Sequence, residues 1–240
     1  MKLWKCHQTT SNSNNHKYKV NKKQHNLIKS ATTKEKNNSI NNNFSFDELQ
    51  FASKKCKGSS AGFDDIHYEF VEKMSNKNKK VINKLYNNIW ENHEFPTSWK
   101  VALVIPILKP GKDPKNAINY RPISLISCLC KVMERMVNRR IMYFLEKNEI
   151  ISNRQFAFQK HKSTMDNIIV LESYISEAFL EGKDVCAILF DLEKAYDKTK
   201  RDLIIDTAAA IGLHGNTLKY IINFLNNRKF RVCSDNSISG

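Results

Sequence analysis

One run in this 240-residue chain places a carboxylate where it could hold a metal ion. Residues 185–190 are apolar and of strand character, and they end on Asp191; Leu192, Glu193, Lys194, Ala195, Tyr196 and Asp197 follow. A carboxylate at the end of a buried strand is costly unless it is paired or binds a cation. One chemistry that uses such a group is in-line displacement at phosphorus, where divalent cations hold the attacking and leaving oxygens. Mg2+ takes its oxygen ligands from carboxylates, water and phosphates. A plainer role for Asp191 is to cap a helix starting near Glu193, and the segment taken alone favours that role. The six cysteines offer no softer metal site. No pair has CxxC spacing, and no histidine stands at zinc-finger distance from a cysteine pair.

The elements that must position Asp191 follow from hydrophobic period and punctuation. Short helices are predicted over 46–53 and 65–74, and a longer one over 77–92, where Val81, Leu85, Ile89 and Trp90 recur at helical spacing before Pro96. Residues 101–109 read as a buried strand, with Pro106 near an edge or bulge. The Pro110–Pro114 stretch is a turn, and a second extended segment runs through Tyr120–Ile123. A helix over 127–148 carries the stripe Leu129, Val132, Met133, Met136, Val137, Ile141, Phe144 and Leu145, with Ser127 as its cap. Residues 155–158 read as extended. Ser163 and Asp166 form a capping-box arrangement for the next helix, whose inner face is Ile168, Leu171, Ile175, Ala178 and Phe179, and which Gly182 ends. A strand over 185–191, helices over 201–211 and 215–227 divided by Gly212, and a strand over 229–233 complete the series. This mixed order argues for an α+β fold.

Charge and composition divide the chain. Residues 1–43 hold ten Asn and nine Lys against one acidic residue, Glu35, a net +8 of the chain's +15. Such a stretch cannot bury enough apolar surface to offset its ordering entropy, so residues 1–43 are expected to be a disordered basic tail. The remainder is basic in its own right, which suits a phosphate-backbone partner and equally a basic protein without one. Apolar runs are too short to span a bilayer, so no membrane is implied. Cysteine usage points to reduced thiols and an intracellular site, nuclear, cytoplasmic or both.

Several segments in order resemble the reverse transcriptases of non-LTR retrotransposons of the jockey-like LINE type. The segment 187–197 is similar to the first palm motif of that family. The segments 105–114 and 119–125 are similar to its fingers. So are 154–164, 57–66 and 224–232 to further family segments, and the resemblance covers about residues 44–240. It implies a right-hand polymerase fold, divided into a helical lead-in (44–98), fingers (99–184) and an incomplete palm (185–240). It implies an RNA-directed DNA polymerase that adds dNTPs to a DNA primer 3′-hydroxyl on an RNA template with Mg2+ or Mn2+. Asp191 would be the catalytic metal ligand, with the Leu192 carbonyl as a second contact. Tyr196 would lie under the sugar of the incoming nucleotide. Lys109 and Arg121 would bring two cations onto its triphosphate, Arg through its bidentate fork and Lys as a point charge. Arg154, Gln155, Phe158, Lys160 and Lys162 would face template or nucleotide.

The chain departs from the family pattern at Ala61, where the family has proline, at Asp65 and Ala157, where it has glycine, and at Gln159, where it has arginine. The family's Ala-Asp-Asp turn is not among these residues. The expectation is therefore a truncated front part of the domain, inactive by itself and with exposed strand edges. A non-catalytic nucleic-acid-binding module is the alternative, and an intron-encoded maturase, which shares the fold, a more distant one.

Overall fold

The computed structural model describes residues 39–54, 60–192, 195–234 and 237–238. The expected tail up to residue 38, the Lys57–Ser59 part of the glycine loop, and Glu193 and Lys194 lie outside the described residues. The elements, in chain order, are α1 (Phe46–Lys54), α2 (Tyr68–Lys73), α3 (Asn76–Asn92), β1 (Val101–Leu108), β2 (Tyr120–Leu125), α4 (Cys128–Lys147), α5 (Thr164–Leu180), α6 (Ala195–Lys198), α7 (Arg201–Ala210), α8 (Gly215–Leu225), β3 (Lys229–Ser234) and β4 (Ser237–Ile238). The described residues fall into two compact units, one holding those up to Ile141 and those from Arg201 onward, the other those of Met142–Lys200. The expected mixture of helix and sheet is present.

The first unit contains a four-stranded sheet in the order β2-β1-β3-β4. β1 pairs antiparallel with β2 and parallel with β3, and β3 pairs antiparallel with β4. The prolines explain how far each pairing extends. Lys109 N–H donates to the Asn119 carbonyl, so the opposed pair Pro106 and Pro122 falls at a non-hydrogen-bonded position of the β1–β2 ladder. The nitrogen of Pro106 then faces the β3 side, where the register stops at Val104. The nitrogen of Pro122 faces the outer edge of β2. Neither proline removes a bond the sheet would make.

The core of this unit gathers Phe44, Leu49, Val71, Tyr86, Trp90, Phe95, Trp99, Met133, Met136 and Tyr220, among others. Most of the α4 stripe is as expected: Val132, Met133, Met136 and Val137 are buried, and Leu129 and Ile141 pack against them. The α3 stripe is shifted. Val81 and Leu85 are exposed, and the inner face is Ile82, Tyr86, Ile89 and Trp90. Tyr86 takes part because its hydroxyl donates to the Leu129 carbonyl, which satisfies the polar end of a buried ring. Asn83 and Asn87 flank that face and bond both backbone groups of Phe44.

Three further expectations are corrected here. Residues 39–43 belong to the folded unit: Ser39–Asn41 form a 3-10 turn, Ile40 is buried, and the Asn41 carbonyl accepts from the Trp90 indole. One buried side chain, Ile40, and bonded backbone outweigh an Asn-rich composition. Ser127 does not cap α4 with its side chain; its hydroxyl is buried with no hydrogen-bond partner among the described residues, while its carbonyl accepts the first helical bond, from Lys131. The predicted 65–74 helix starts later, at Tyr68, because Asp65 adopts a left-handed φ of 52°.

In the second unit, α5 starts with the full capping box, the Ser163 and Asp166 side chains each bonding the other's backbone N–H. It ends in a Schellman arrangement: Gly182 N–H donates to Phe179, and Lys183 N–H to Ala178. Both signals are local and were read correctly. Among the described residues nothing buries its expected inner face: no residue of α5 is buried, and Ile168, Leu171 and Phe179 are exposed. Two expected extended pieces are corrected. Residues 155–158 form no strand: 155 and 156 are irregular and 157 and 158 lie in a turn, with Phe158 at φ 60°. Residues 185–191 form no strand, and Ile188, Leu189 and Phe190 are exposed. A strand exists only through its neighbours, and the paired strands among the described residues leave this run without one.

Candidate functional site

Lys109 and Arg121 are brought together by the β1–β2 hairpin. Arg121 opposes Ile107 in the register, and Lys109 stands two residues beyond Ile107, so alternation puts both cations on one face at diagonal positions. The connecting loop is fixed by its own polar groups. Asp113 accepts from Lys115 N–H, Asn116 from Ile118 N–H, and the Tyr120 hydroxyl donates to the Pro114 carbonyl. The Lys109 ammonium is part of this frame, donating to the Ile118 carbonyl at 3.0 Å. Arg121 is exposed on the β2 edge. The hairpin therefore presents one tethered and one exposed cation.

Residues 152–162 form a second group, within the other unit. The Lys162 ammonium donates to the carbonyls of Asn153 and Gln155, at 2.6 and 3.0 Å, and lies over the Phe156 ring at 5.2 Å. The Gln159 amide donates to the Ser152 carbonyl, and the Gln155 amide to Ala157. Lys162 and Gln159 thus hold the loop closed. Phe158, Arg154 and Lys160 point no buried surface inward; all three are exposed.

Asp191, Leu192 and Tyr196 lie in the same unit, Tyr196 on the single-turn helix α6. All three are exposed, so Asp191 is not the terminus of a buried strand. The Asp191 carboxylate and the Leu192 carbonyl are hard oxygen donors, of the class Mg2+ takes. Among the described residues no group of three or more His, Cys, Asp or Glu side chains is placed to share a cation. The donor types fit the metal, and the described residues contribute one carboxylate to it.

The profile of the reverse transcriptase (RNA-dependent DNA polymerase) family matches residues 107–238, a span holding Lys109, Arg121, the 154–164 loop, Asp191 and Tyr196. The chain belongs to the reverse transcriptase family. Among curated proteins it is 30% identical over 183 residues to the probable RNA-directed DNA polymerase from transposon BS of Drosophila melanogaster, a match covering 75% of this chain and 20% of that protein. It is 32% identical over 152 residues to the RNA-directed DNA polymerase from mobile element jockey of Drosophila funebris, covering 63% and 16%. With the Pol polyprotein of the type-1 element R2 of Popillia japonica it shares 25% over 179 residues, covering 75% and 24%. The chain thus spans about a fifth of the length of these relatives. The sequence-level resemblance to non-LTR elements holds.

Two of the departures from the family pattern have opposite structural weight. Asp65, at φ 52°, occupies a left-handed position that glycine adopts without strain. Ala157 is not among the residues of positive φ, so glycine is not required there for conformation. Gly62 is required: a Cβ on it would meet the Ile126 carbonyl carbon at 2.4 Å and Ser127 N at 2.5 Å.

Sequence reasoning gave no role to Arg228 and Arg231, though both lie in a quoted segment. Arg228 donates to the Phe224 and Trp99 carbonyls and stacks on Phe224 at 3.9 Å, joining the end of α8 to the start of β1. Near it, burial first and then the Glu134 carboxylate push the Cys130 thiol up, and burial raises the Glu134 carboxyl. Arg231 lies over the Phe63 ring at 5.4 Å. The alternation of β3 marks Lys229, Arg231 and Cys233 as one face, which was the available signal.

Proposed function

We propose that this chain is part of an RNA-directed DNA polymerase of a retrotransposable element, adding dNTPs to a DNA primer 3′-hydroxyl on an RNA template. The observation that carries this reading is the family match over 107–238, which takes in every residue proposed for the nucleotide site. In this reading the β1–β2 hairpin belongs to the fingers, and its Arg121, with Lys109 behind it, meets the triphosphate. The 154–162 loop faces template, with Arg154, Phe158 and Lys160 outward and Gln155 and Lys162 holding its shape. Asp191 and the Leu192 carbonyl, at the start of the palm, would hold Mg2+ or Mn2+, which supplies charge stabilisation at the transferred phosphoryl group. Tyr196 sits under the nucleotide sugar.

A chimera tests this. Residues 101–238 replace the matching segment of the jockey polymerase, and primer extension is measured on poly(rA)/oligo(dT). The expected result is extension that Asp191→Ala abolishes. Extension unchanged in Asp191→Ala would refute the assignment.

A second reading has one observation in its favour: the described residues supply a single carboxylate to a metal site that uses several. The 240 residues by themselves would then bind primer–template without extending it. Salt-dependent binding with no extension by the 240-residue chain is the result that reading expects.

A further inference from the structure

The first unit contains a cleft of about 180 Å3 lined by Phe63, Asp64, Ser98, Trp99, Val101, Ser127 and Arg231. This is smaller than the roughly 300–1,000 Å3 of pockets for drug-sized ligands, so its size suits a single ring system. The cleft has polar groups at two depths. Ser127 is 5% exposed, and its hydroxyl has no hydrogen-bond partner among the described residues. A buried hydroxyl without a partner is costly, and a ligand atom in the cleft would relieve that cost. At the exposed end stand Asp64 and Arg231. One Asp64 oxygen accepts from Ile66 N–H at 3.3 Å, and among the described residues the other oxygen is left to accept from a ligand. Arg231 lies over the Phe63 ring, so the guanidinium and the aromatic face flank the opening together.

We propose that this cleft receives one unstacked nucleobase carrying an exocyclic amino group, extruded from a single strand. The proposal rests on the reading that the chain handles nucleic acid. Phe63, Trp99 and Val101 supply apolar and aromatic contact for the ring, as stacking platforms for single strands do. The open Asp64 oxygen accepts from the amino group, as acidic side chains accept from cytosine N4. The Ser127 hydroxyl bonds a ring nitrogen or carbonyl at the inner end. Arg231, with Lys229 on the same face of β3 two residues away, meets the flanking phosphates. A bare apolar anchor from a protein partner would leave the Asp64 oxygen and the Ser127 hydroxyl without partners, so the base is the better fit.

The test uses the 240-residue chain and labelled hexamers of cytidine, uridine and an abasic sugar-phosphate, each as RNA and as DNA, followed by fluorescence anisotropy. All strands of one sugar carry the same phosphates. Cytidine strands are expected to bind roughly tenfold tighter than uridine or abasic strands. Asp64→Asn should remove the preference for cytidine over uridine. Phe63→Ala should bring every strand down to the abasic level. Both positions are exposed, so an unchanged melting temperature is expected to accompany these losses. Equal binding of all three strands overturns the cleft while leaving nucleic-acid binding intact, and so does a cytidine preference untouched by both substitutions. Absence of binding by any strand overturns the underlying reading as well. Equal results with RNA and DNA place the recognition at the base; a difference confined to RNA strands places it at the 2′-hydroxyl and counts against the proposal.

Discussion

The side-chain oxygen of Asn41 accepts a hydrogen bond at 2.9 Å from the backbone N–H of Thr217, 176 residues further along the chain. It caps α8 from a distance. His214, the local N-cap residue, makes no capping bond with its side chain. The Thr217 hydroxyl lies 3.0 Å from the same Asn41 oxygen and 3.2 Å from the Ile40 carbonyl. Losing a cap of this kind costs about 1 kcal/mol. Asn41→Ala is therefore expected to lower the unfolding free energy by about that amount in urea. Asn41→Asp, which keeps the acceptor and adds negative charge at a helix N-terminus, should restore it. Equal destabilisation by both would show that the carboxamide is not acting as a cap.

Arg140, on α4, ties that helix to residues 40–43 and to Glu48 of α1. It donates to both carboxylate oxygens of Glu48, each at 2.7 Å, and to the carbonyls of Ile40, Asn42 and Asn43. Its guanidinium also lies 4.3 Å from the Phe44 ring centre. Burial pushes the Glu48 carboxyl up, but the bonds from Arg140 and Ser45 outweigh it and hold the group below its ordinary value of 4.5. A carboxyl lowered by folding contributes stability that is present above pH 4.5 and lost as pH falls through the folded value. Glu48→Gln should flatten this acid limb of the stability profile. Arg140→Ala should cost about 3 kcal/mol at neutral pH, because it strands a half-buried carboxylate. Urea midpoints between about pH 3 and pH 7 check both.

The glycine loop gives a prediction of opposite signs at neighbouring positions. Gly62 sits against the backbone of Ile126 and Ser127, and backbone cannot step aside as a side chain can. Gly62→Ala is expected to cost about 2 kcal/mol. At Asp65, φ is 52°, and an aspartate tolerates this better than most residues but less well than glycine. Asp65→Gly should be more stable than Asp65→Ala by about 1 kcal/mol, the order expected only at a left-handed position. Thermal unfolding of the three variants decides it, and Asp65→Ala matching Asp65→Gly would contradict the assigned backbone.

What was legible in the sequence was what is decided within one turn or one ladder step. Ser163 and Asp166 are three residues apart, and Gly182 stops the helix by its own φ. The Lys109 and Arg121 hairpin followed from the turn between two apolar runs. The bonds of Asn41, Glu48 and Arg140 were not legible, because their partners are set by tertiary packing, and at Asn41 the local composition also argued for disorder. The α3 stripe was misphased because Tyr86 reads as polar until its hydroxyl finds the Leu129 carbonyl. The run at 185–191 has strand composition, but composition does not supply a neighbouring strand. Asp191 was thus found as a residue, while its surroundings were not.

The two hairpin cations should separate by experiment, because only one of them is tethered. The Lys109 ammonium already has the Ile118 carbonyl as an acceptor, and Lys109 N–H closes the loop onto Asn119. Arg121 stands exposed on the edge strand, its planar fork suited to two phosphate oxygens at once. Arg121→Gln is expected to weaken binding of a deoxynucleoside triphosphate with Mg2+ roughly tenfold without altering the loop. Lys109→Gln should weaken it less and instead loosen residues 109–119, seen as faster amide exchange at Lys109. Arg121→Lys tests the fork itself: it keeps the charge and should recover only part of the affinity. Triphosphate affinity that survives Arg121→Gln would remove the hairpin from the nucleotide site and leave Lys109 as a residue that shapes the loop.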